Sequence, residues 1–564
     1  MTQVTGRWTG TARRVIASRR GVMASTGPLV ARRRAASARV RWGIHGVGMP
    51  PFNRVTGVSR LVGMTVRRIM GVETEYGIAV PGQPWANPIE TSGIVVSRYA
   101  RAHGLRATHG AWDYSDEQPL VDARGFAMPR AEAHPSQLTD EDDPALANVV
   151  LPNGARLYVD HAHPEYSSPE VTTPRDALVY DRAGELVMRE VVDLVDGGGS
   201  AYPEINLYKN NTDGKGQSYG THENYLLARQ TPFDRVVRDL TPFFVARQVI
   251  CGAGRVGLGR ESEGEGYQIS SRTDFFEAEV GLETTFRRPI INTRDEPHAD
   301  PDRYRRLHVI IGDANLAEVA GLLKIGATSL VLALIEADAV RGALTLRDPL
   351  RALREVSHDP SCTTLVELAD GRRLTAVQLL WAYRELIGSY LAQRGSDPPT
   401  DEVLGHLDRV LTLLERDPMT AAKDLDWVAK LALLQGYRDR DGLGWGDPRL
   451  RAIDIQYSDV RPAKGIFARL EAAGRVTRLT TPEEVEAAVT TPPQDTRAWL
   501  RGGLVAHHPG SVISASWDSV VLRVPGGVAR ISMPEPTDLG REQSDAALAH
   551  DEITAVVDEL QRLT

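Results

Sequence analysis

Two short segments, GVETEYG at 71–77 and NGARLYVD at 153–160, alternate polar and apolar side chains in the manner of strands with one chemically special face. Side chains two apart on a strand point the same way, so Glu73 and Glu75 share one face while Val72 and Thr74 take the other. The same rule lines up Arg156, Tyr158 and Asp160 and leaves Leu157 and Val159 for a core. Burying carboxylates without counter-charge costs several kcal/mol or drives their pKa upward, so this face is either solvated or holds cations. Oxygen-rich sets of Glu, Asp and Tyr suit Mg²⁺, which commonly bridges to phosphate. Solvation is the ordinary explanation for a single acidic pair. Arg156 beside the carboxylates, and the dense HAHPEYSSPE with His163, Glu165 and Glu170, favour the cation.

The rest of the chain sets the scale. At 564 residues it exceeds one ordinary core, so a large domain and a smaller one are expected. Strands and helices mix without repeats or a regular βαβ rhythm, which predicts α+β rather than a doubly wound sheet. The composition, 42% hydrophobic and 25% charged, is that of a soluble globular protein, and the longest apolar run, near Ile325–Ile335, reads as a buried helix. No membrane partner is expected. Two cysteines, Cys251 and Cys362, rule out a disulfide framework and fit a cytoplasmic location.

Residues 1–63 hold 12 arginines and no Lys, Asp or Glu, and read as a disordered extension; Met64 stands where a start codon would fit. A nucleic-acid arm is the less favoured reading, and no nucleic-acid partner is expected. Residues 64–490 form the expected catalytic domain, within which the acidic, proline-rich stretch 107–147 reads as a mobile insert loop. Helical spacing runs over Ala177–Val195 and over Asn315–Val340, the latter with Asn315 and Glu318 in capping-box register. TTPPQDTR at 490 marks the boundary to a small C-terminal α+β domain, 491–564, with a hairpin at Pro525-Gly526-Gly527 and a terminal helix over Ser544–Leu563.

Further clusters are weaker alone. KNNTDGKGQSYGTHENY offers Asn210, Asn211, His222 and Glu223 for phosphate or metal contact. RRPIINTRDEPHADPDRYRRLH gathers Arg287, Arg288, Arg294, Arg303, Arg305 and Arg306 in an otherwise acidic chain, a pattern suited to anion recognition. Gly252, Gly254 and Gly257 match a dinucleotide fingerprint, but no helix opens after them, so a Rossmann site is rejected. His161 and His163 resemble an amidohydrolase metal pair without the eight βα units that fold needs.

Taken in order, GVETEYG, NGARLYVD, HPEYSSPE, KNNTDGKGQSYGTHENY, CGAGRV and INTRDEPHADPDRYRRLH resemble the family of Pup ligases and Pup deamidase/depupylases, from about residue 67 to the C-terminus. The resemblance implies a glutamine synthetase-like catalytic domain, with a curved antiparallel sheet binding ATP and Mg²⁺, and a small C-terminal domain. It implies Glu73, Glu75, Tyr158 and Glu165 at the metal site and Asp160 as the essential aspartate, acting as nucleophile or as base. Arg156, Ser168, Asn211, His222, Arg272, His308 and Trp517 fall at nucleotide or phosphate contacts. The 107–147 insert and PWANPIETS resemble the depupylase branch. That branch hydrolyses the amide at the C-terminal residue of Pup, deamidating its Gln and releasing Pup from tagged lysines; its partners are Pup and pupylated proteins, with a functional link to the proteasome. The alternatives are a Pup ligase that consumes ATP and, less favoured, a non-catalytic binding protein.

Overall fold

Six strands form one wholly antiparallel sheet: β1 (Met70–Glu75), β2 (Asn148–Val150), β3 (Arg156–Asp160), β4 (His163–Ser167), β5 (Thr221–Ala228) and β6 (Tyr304–Val309), in the spatial order β6-β5-β1-β4-β3-β2. The computed structural model describes residues 65–115, 117–134, 137–138, 147–196 and 203–563. The arginine-rich leader, Met64 and the acidic part of the insert at 139–146 lie outside the described residues. The architecture is α+β, with strands and helices interleaved along the chain.

The sheet has two unlike faces because its strands alternate. On one, Met70, Val72, Tyr225, Leu227, Leu307 and Val309 enter the largest apolar cluster, and Leu157, Val159 and Tyr166 enter a second. Helices α1 (Pro174–Asp196), α2 (Phe233–Cys251) and α3 (Glu318–Glu336) contribute to these clusters. Burying a Val or Leu side chain is worth about 1.5–3 kcal/mol, so a one-residue slip of any strand would exchange that gain for buried charge. Gly184 lets α1 approach closely: a Cβ there would lie 2.4 Å from the Tyr166 ring.

Helix α3 is apolar and long enough to cross a membrane by length and composition, yet 94% of that stretch is buried in the protein. It is shorter than the predicted Asn315–Val340, and the expected capping box is absent. Ala317 is the N-cap and makes no side-chain cap bond. The Asp426 carboxylate instead accepts from the backbone N–H groups of Leu316 (3.2 Å) and Ala317 (3.0 Å), while Asn315 donates to Cys251 O and Asp426. A buried carboxylate from another helix supplies the acceptor that a local side chain was expected to give. Gly252 follows the end of α2 and precedes a strand, Arg255–Leu258, so the glycine run joins helix to strand, the reverse of a dinucleotide fingerprint.

Near the C-terminus, Val512–Ala515, Ser519–Val524 and Gly527–Ser532 form a three-stranded antiparallel sheet, with the hairpin at Pro525-Gly526 and Gly526 at φ +89°. The single terminal helix predicted over Ser544–Leu563 is two helices, Arg541–Leu548 and Ile553–Leu563. The break allows Ala547 and Leu548 from one, and Val556, Val557 and Leu560 from the other, to enter a single apolar cluster. Trp112, Tyr114 and Val150 enter the same cluster, so the start of the insert is packed rather than free.

Candidate active site

The polar face of the sheet carries the predicted residues in register. Glu73 stands opposite His222 on β5 and Ser167 on β4; Glu75 stands opposite Glu165, which in turn faces Tyr158. His308 on β6 faces Asn224, two residues beyond His222. Strand pairing thus collects donors that are remote in sequence. Two groups of three result, Glu73–His222–His308 and Glu75–Asp160–Glu165, within each of which the potential ligand atoms lie within 4.8 Å of one another.

The first group is organised by a hydrogen-bonded frame. Asn224 Nδ2 donates to Glu73 Oε1 (2.9 Å), His222 Nδ1 lies 3.4 Å from Glu73 Oε2, and Arg306 Nη1 donates to Asn224 Oδ1 (2.8 Å). Burial pushes the Glu73 carboxyl up, but the hydrogen bond with His222 and the nearby Arg306 charge outweigh it and hold the pKa well below the usual range. Burial, with Arg306 and His222 nearby, lowers His308 well below an ordinary histidine and leaves it neutral, the form that ligates metals.

In the second group, Tyr158 donates its hydroxyl to Glu165 Oε1 (2.6 Å), and Gly220 N–H donates to Glu75 Oε1 (2.5 Å). Burial first, then repulsion from Asp160, Glu73 and Glu75, pushes Glu165 well above the usual carboxylate range. Asp160 moves the other way. Burial raises it, but the charge and hydrogen bond of His161 (3.1 Å), with His222 and Arg156, bring it below the ordinary value, so it is ionised at neutral pH. Packed carboxylates that disfavour one another's charge, beside neutral histidine, form an oxygen- and nitrogen-donor set that fits a divalent cation such as Mg²⁺.

Two cavities adjoin this chemistry. One of about 120 Å³ is lined by Glu73, Asp160, Glu165, Glu117, Arg156, Arg294, Arg306 and Tyr114. A second, about 80 Å³, is lined by Met70, Gly71, Leu226 and Ser168. Glu73, His298, Arg306 and Trp517 line both. Arg156 is held between the rings of Trp112 (4.2 Å to the centroid) and Tyr158 (3.7 Å), and donates to Asn148 Oδ1 (2.8 Å). Ser168 Oγ accepts from Val72 N–H at 3.0 Å. Trp517 is fixed from behind: Arg501 donates to its carbonyl at 2.8 Å, and Glu170 holds Arg501 together with Arg497.

Arg272 and Asn211 do not reach these cavities. Arg272 is buried and donates to the carbonyls of Ile310 and Gly312 and to Ser218 Oγ, fixing the chain after β6. Asn211 Oδ1 accepts from Ala314 N–H (2.7 Å), and the residue lines a separate cavity of about 250 Å³. The arginine-rich motif also disperses: Arg303 pairs with Glu535, Arg305 with Asp295, and Arg288 donates to carbonyls, while Arg294 and Arg306 line the acidic cavity. His161 and His163 pair with Asp160 and Glu75, and no barrel surrounds them. Sequence reasoning missed Asn224 and His298, treated Arg306 only as part of a cluster, and took Glu170 for a cation-site acid, whereas it pairs with Arg497 and Arg501. The period-two rule applied to THENY and YRRLH would have put Asn224 beside His222 and Arg306 beside His308.

The sequence pattern of the Pup-ligase protein family matches residues 68–521. This chain belongs to that family. It is 54% identical over 480 residues to a depupylase from Acidothermus cellulolyticus, an alignment covering 84% of this chain and 94% of the relative. It is 50% identical over 500 residues to a Pup deamidase/depupylase from Mycolicibacterium smegmatis, covering 88% of this chain and 100% of the relative. Among solved structures it resembles the Pup ligase PafA in complex with Pup, with a TM-score of 0.71 at 32% identity over 88% of this chain and 92% of that one. It also resembles PafA in complex with ADP, with a TM-score of 0.65 at 33% identity over 78% and 96%.

Proposed function

We propose that this chain is an ATP- and Mg²⁺-dependent amidohydrolase that deamidates the C-terminal Gln of Pup and removes Pup from tagged lysines. The observation that carries the reading is Asp160 set among Glu75, Glu165 and the Glu73–His222–His308 group on one sheet face. Both reactions break the same bond type: water adds to the side-chain carbonyl of the C-terminal residue, and ammonia or the lysine amine leaves. Water is a poor nucleophile and amide nitrogen a poor leaving group. Asp160 supplies an anionic oxygen, either attacking the carbonyl carbon or taking the proton of the attacking molecule, and His161 orients it.

Glu73, Glu75, Glu165, His222 and His308 would hold Mg²⁺, with Tyr158 orienting Glu165 through its hydroxyl. Arg156, Arg306, Ser168 and Trp517 would hold the nucleotide, for which the ADP complex of PafA is supporting precedent. The bound cation supplies charge stabilisation to phosphate and to a developing oxyanion. Arg272 and Asn211 act at one remove, by fixing loops. Hydrolysis is favoured over ligation by identities of 54% and 50% to relatives named for depupylation, against 38% to relatives named Pup–protein ligase, and by the 107–147 insert. Residues 64–490 and 491–564 are the proposed catalytic and C-terminal domains, the proposed location is cytoplasmic, and pupylated proteins bound for the proteasome are the proposed substrates.

Incubation of the purified protein with Mg-ATP and Gln-ended Pup tests the reading. Ammonia release without stoichiometric ADP supports it. ADP formation with lysine conjugates would make the chain a ligase, and neither product would make it a binding protein.

A further inference from the structure

His298 is placed with unusual care for a residue in a loop. Its φ is +46°, a left-handed conformation uncommon for a non-glycine residue and concentrated at functional sites. Its carbonyl accepts from Arg497 Nη2 at 2.7 Å, and Arg497 is itself locked by Glu170 at 2.7 Å. The C-terminal segment therefore holds this backbone in a conformation that the chain does not favour locally. Among the described residues no hydrogen bond engages its imidazole. Burial, aided by Arg306 and opposed by Glu296 and Asp518, pulls its pKa down to about 4, so one ring nitrogen carries a proton at neutral pH.

His298 also lines both cavities. One cavity adds Ile69, Met70 and Leu226 to its lining; the other is ionic, with Arg156 and Arg294. A ligand with a flat, weakly polar end and a polyanionic end that spans both must pass the wall they share. Three of the four wall residues already have tasks. Glu73 and Arg306 are bonded to Asn224, and Trp517 presents a ring. Among the described residues, His298 is a polar side chain of the shared wall that makes no hydrogen bond.

We propose that His298 is a nucleotide-contacting residue, its ring N–H donating to the first phosphate, where the nucleoside half of the ligand joins the anionic half. This rests on the nucleotide-binding reading above and assigns a group to one part of the ligand. A hydrogen bond to a charged acceptor is worth about 1.5–3 kcal/mol, which converts to roughly a 10- to 100-fold change in affinity.

Titration calorimetry of the full chain with ATP, AMP and adenosine, in magnesium, tests it with His298→Gly and His298→Asn. Both residues accept the left-handed backbone, and either suffices if the other fails to fold. The expected result is weaker ATP and AMP binding by at least about tenfold, with adenosine unchanged. Equal loss for adenosine and AMP would reduce His298 to packing, and unchanged ATP and AMP would overturn the contact. A wild-type chain that binds none of the three overturns the nucleotide reading itself, a different result from wild-type binding that the variants retain.

Discussion

Replacing Glu170 by Gln removes the charge that two buried arginines share. Glu170 accepts from Arg497 Nε at 2.7 Å and from Arg501 Nη1 at 3.1 Å, with a further bond from Arg501 Nη2, and the Arg497 and Arg501 side chains are 4% and 0% exposed. Burial works against the carboxylate, but the two guanidinium charges and their hydrogen bonds win and hold its pKa at about 2. That lies roughly two pH units below an ordinary glutamate and corresponds to about 3 kcal/mol of stability at neutral pH. Breaking a buried pair from one side costs about 3–5 kcal/mol by the same physics. Spread over a chain of this size, with an unfolding entropy of about 2 cal/mol/K per residue, the loss lowers the unfolding midpoint by about 3–4 °C.

The sign with pH is fixed by the depressed value. The contribution is complete above the unfolded-state pKa near ~4.3 and is lost as pH falls toward about 2. Urea unfolding of wild type and Glu170→Gln, at neutral pH and at about pH 3.5, should show a gap of about 3 kcal/mol that shrinks by about 1 kcal/mol in acid. A neutral-pH gap under about 1 kcal/mol, the range of an exposed pair, or a gap indifferent to acid, refutes the reasoning.

Other outcomes follow from the same geometry. Asp160→Asn should abolish ammonia release from Gln-ended Pup while calorimetry still detects ATP; retained hydrolysis would remove Asp160 from the chemistry. Burial and the neighbouring carboxylates disfavour the charged form of Glu165, so Glu165→Gln should leave thermal unfolding in EDTA unchanged within about 1 kcal/mol, the scale of a volume-conserving swap, while stabilisation by Mg-ATP is lost. Gly184→Ala drives a methyl group into the Tyr166 ring and should destabilise by about 1–3 kcal/mol in urea.

The alternating strands were legible because the period-two pattern is local: Glu73 with Glu75, and Arg156 with Tyr158 and Asp160, needed only their own segments. What brings His222 opposite Glu73, or His308 opposite Asn224, is strand pairing between remote parts of the chain, and composition carries no trace of it. The α3 cap was misread for a related reason. Asn315 and Glu318 have the right spacing, but Asp426 arrives from another helix and takes the backbone donors, while Glu318 accepts from the N–H groups of Leu479 and Thr480. Glu170 was visible as one more acid in HPEYSSPE; only the folded chain shows that its partners, Arg497 and Arg501, lie beyond residue 490. Family resemblance supplied Trp517, which no local pattern marks.

Trp517 and Glu73 form parts of the walls of the same two cavities. During synthesis, a ribosome must therefore translate almost the whole message before both parts can exist together. Nascent or prematurely terminated products that stop short of residue 517 should be catalytically silent, a safeguard against stray hydrolysis by unfinished polypeptides.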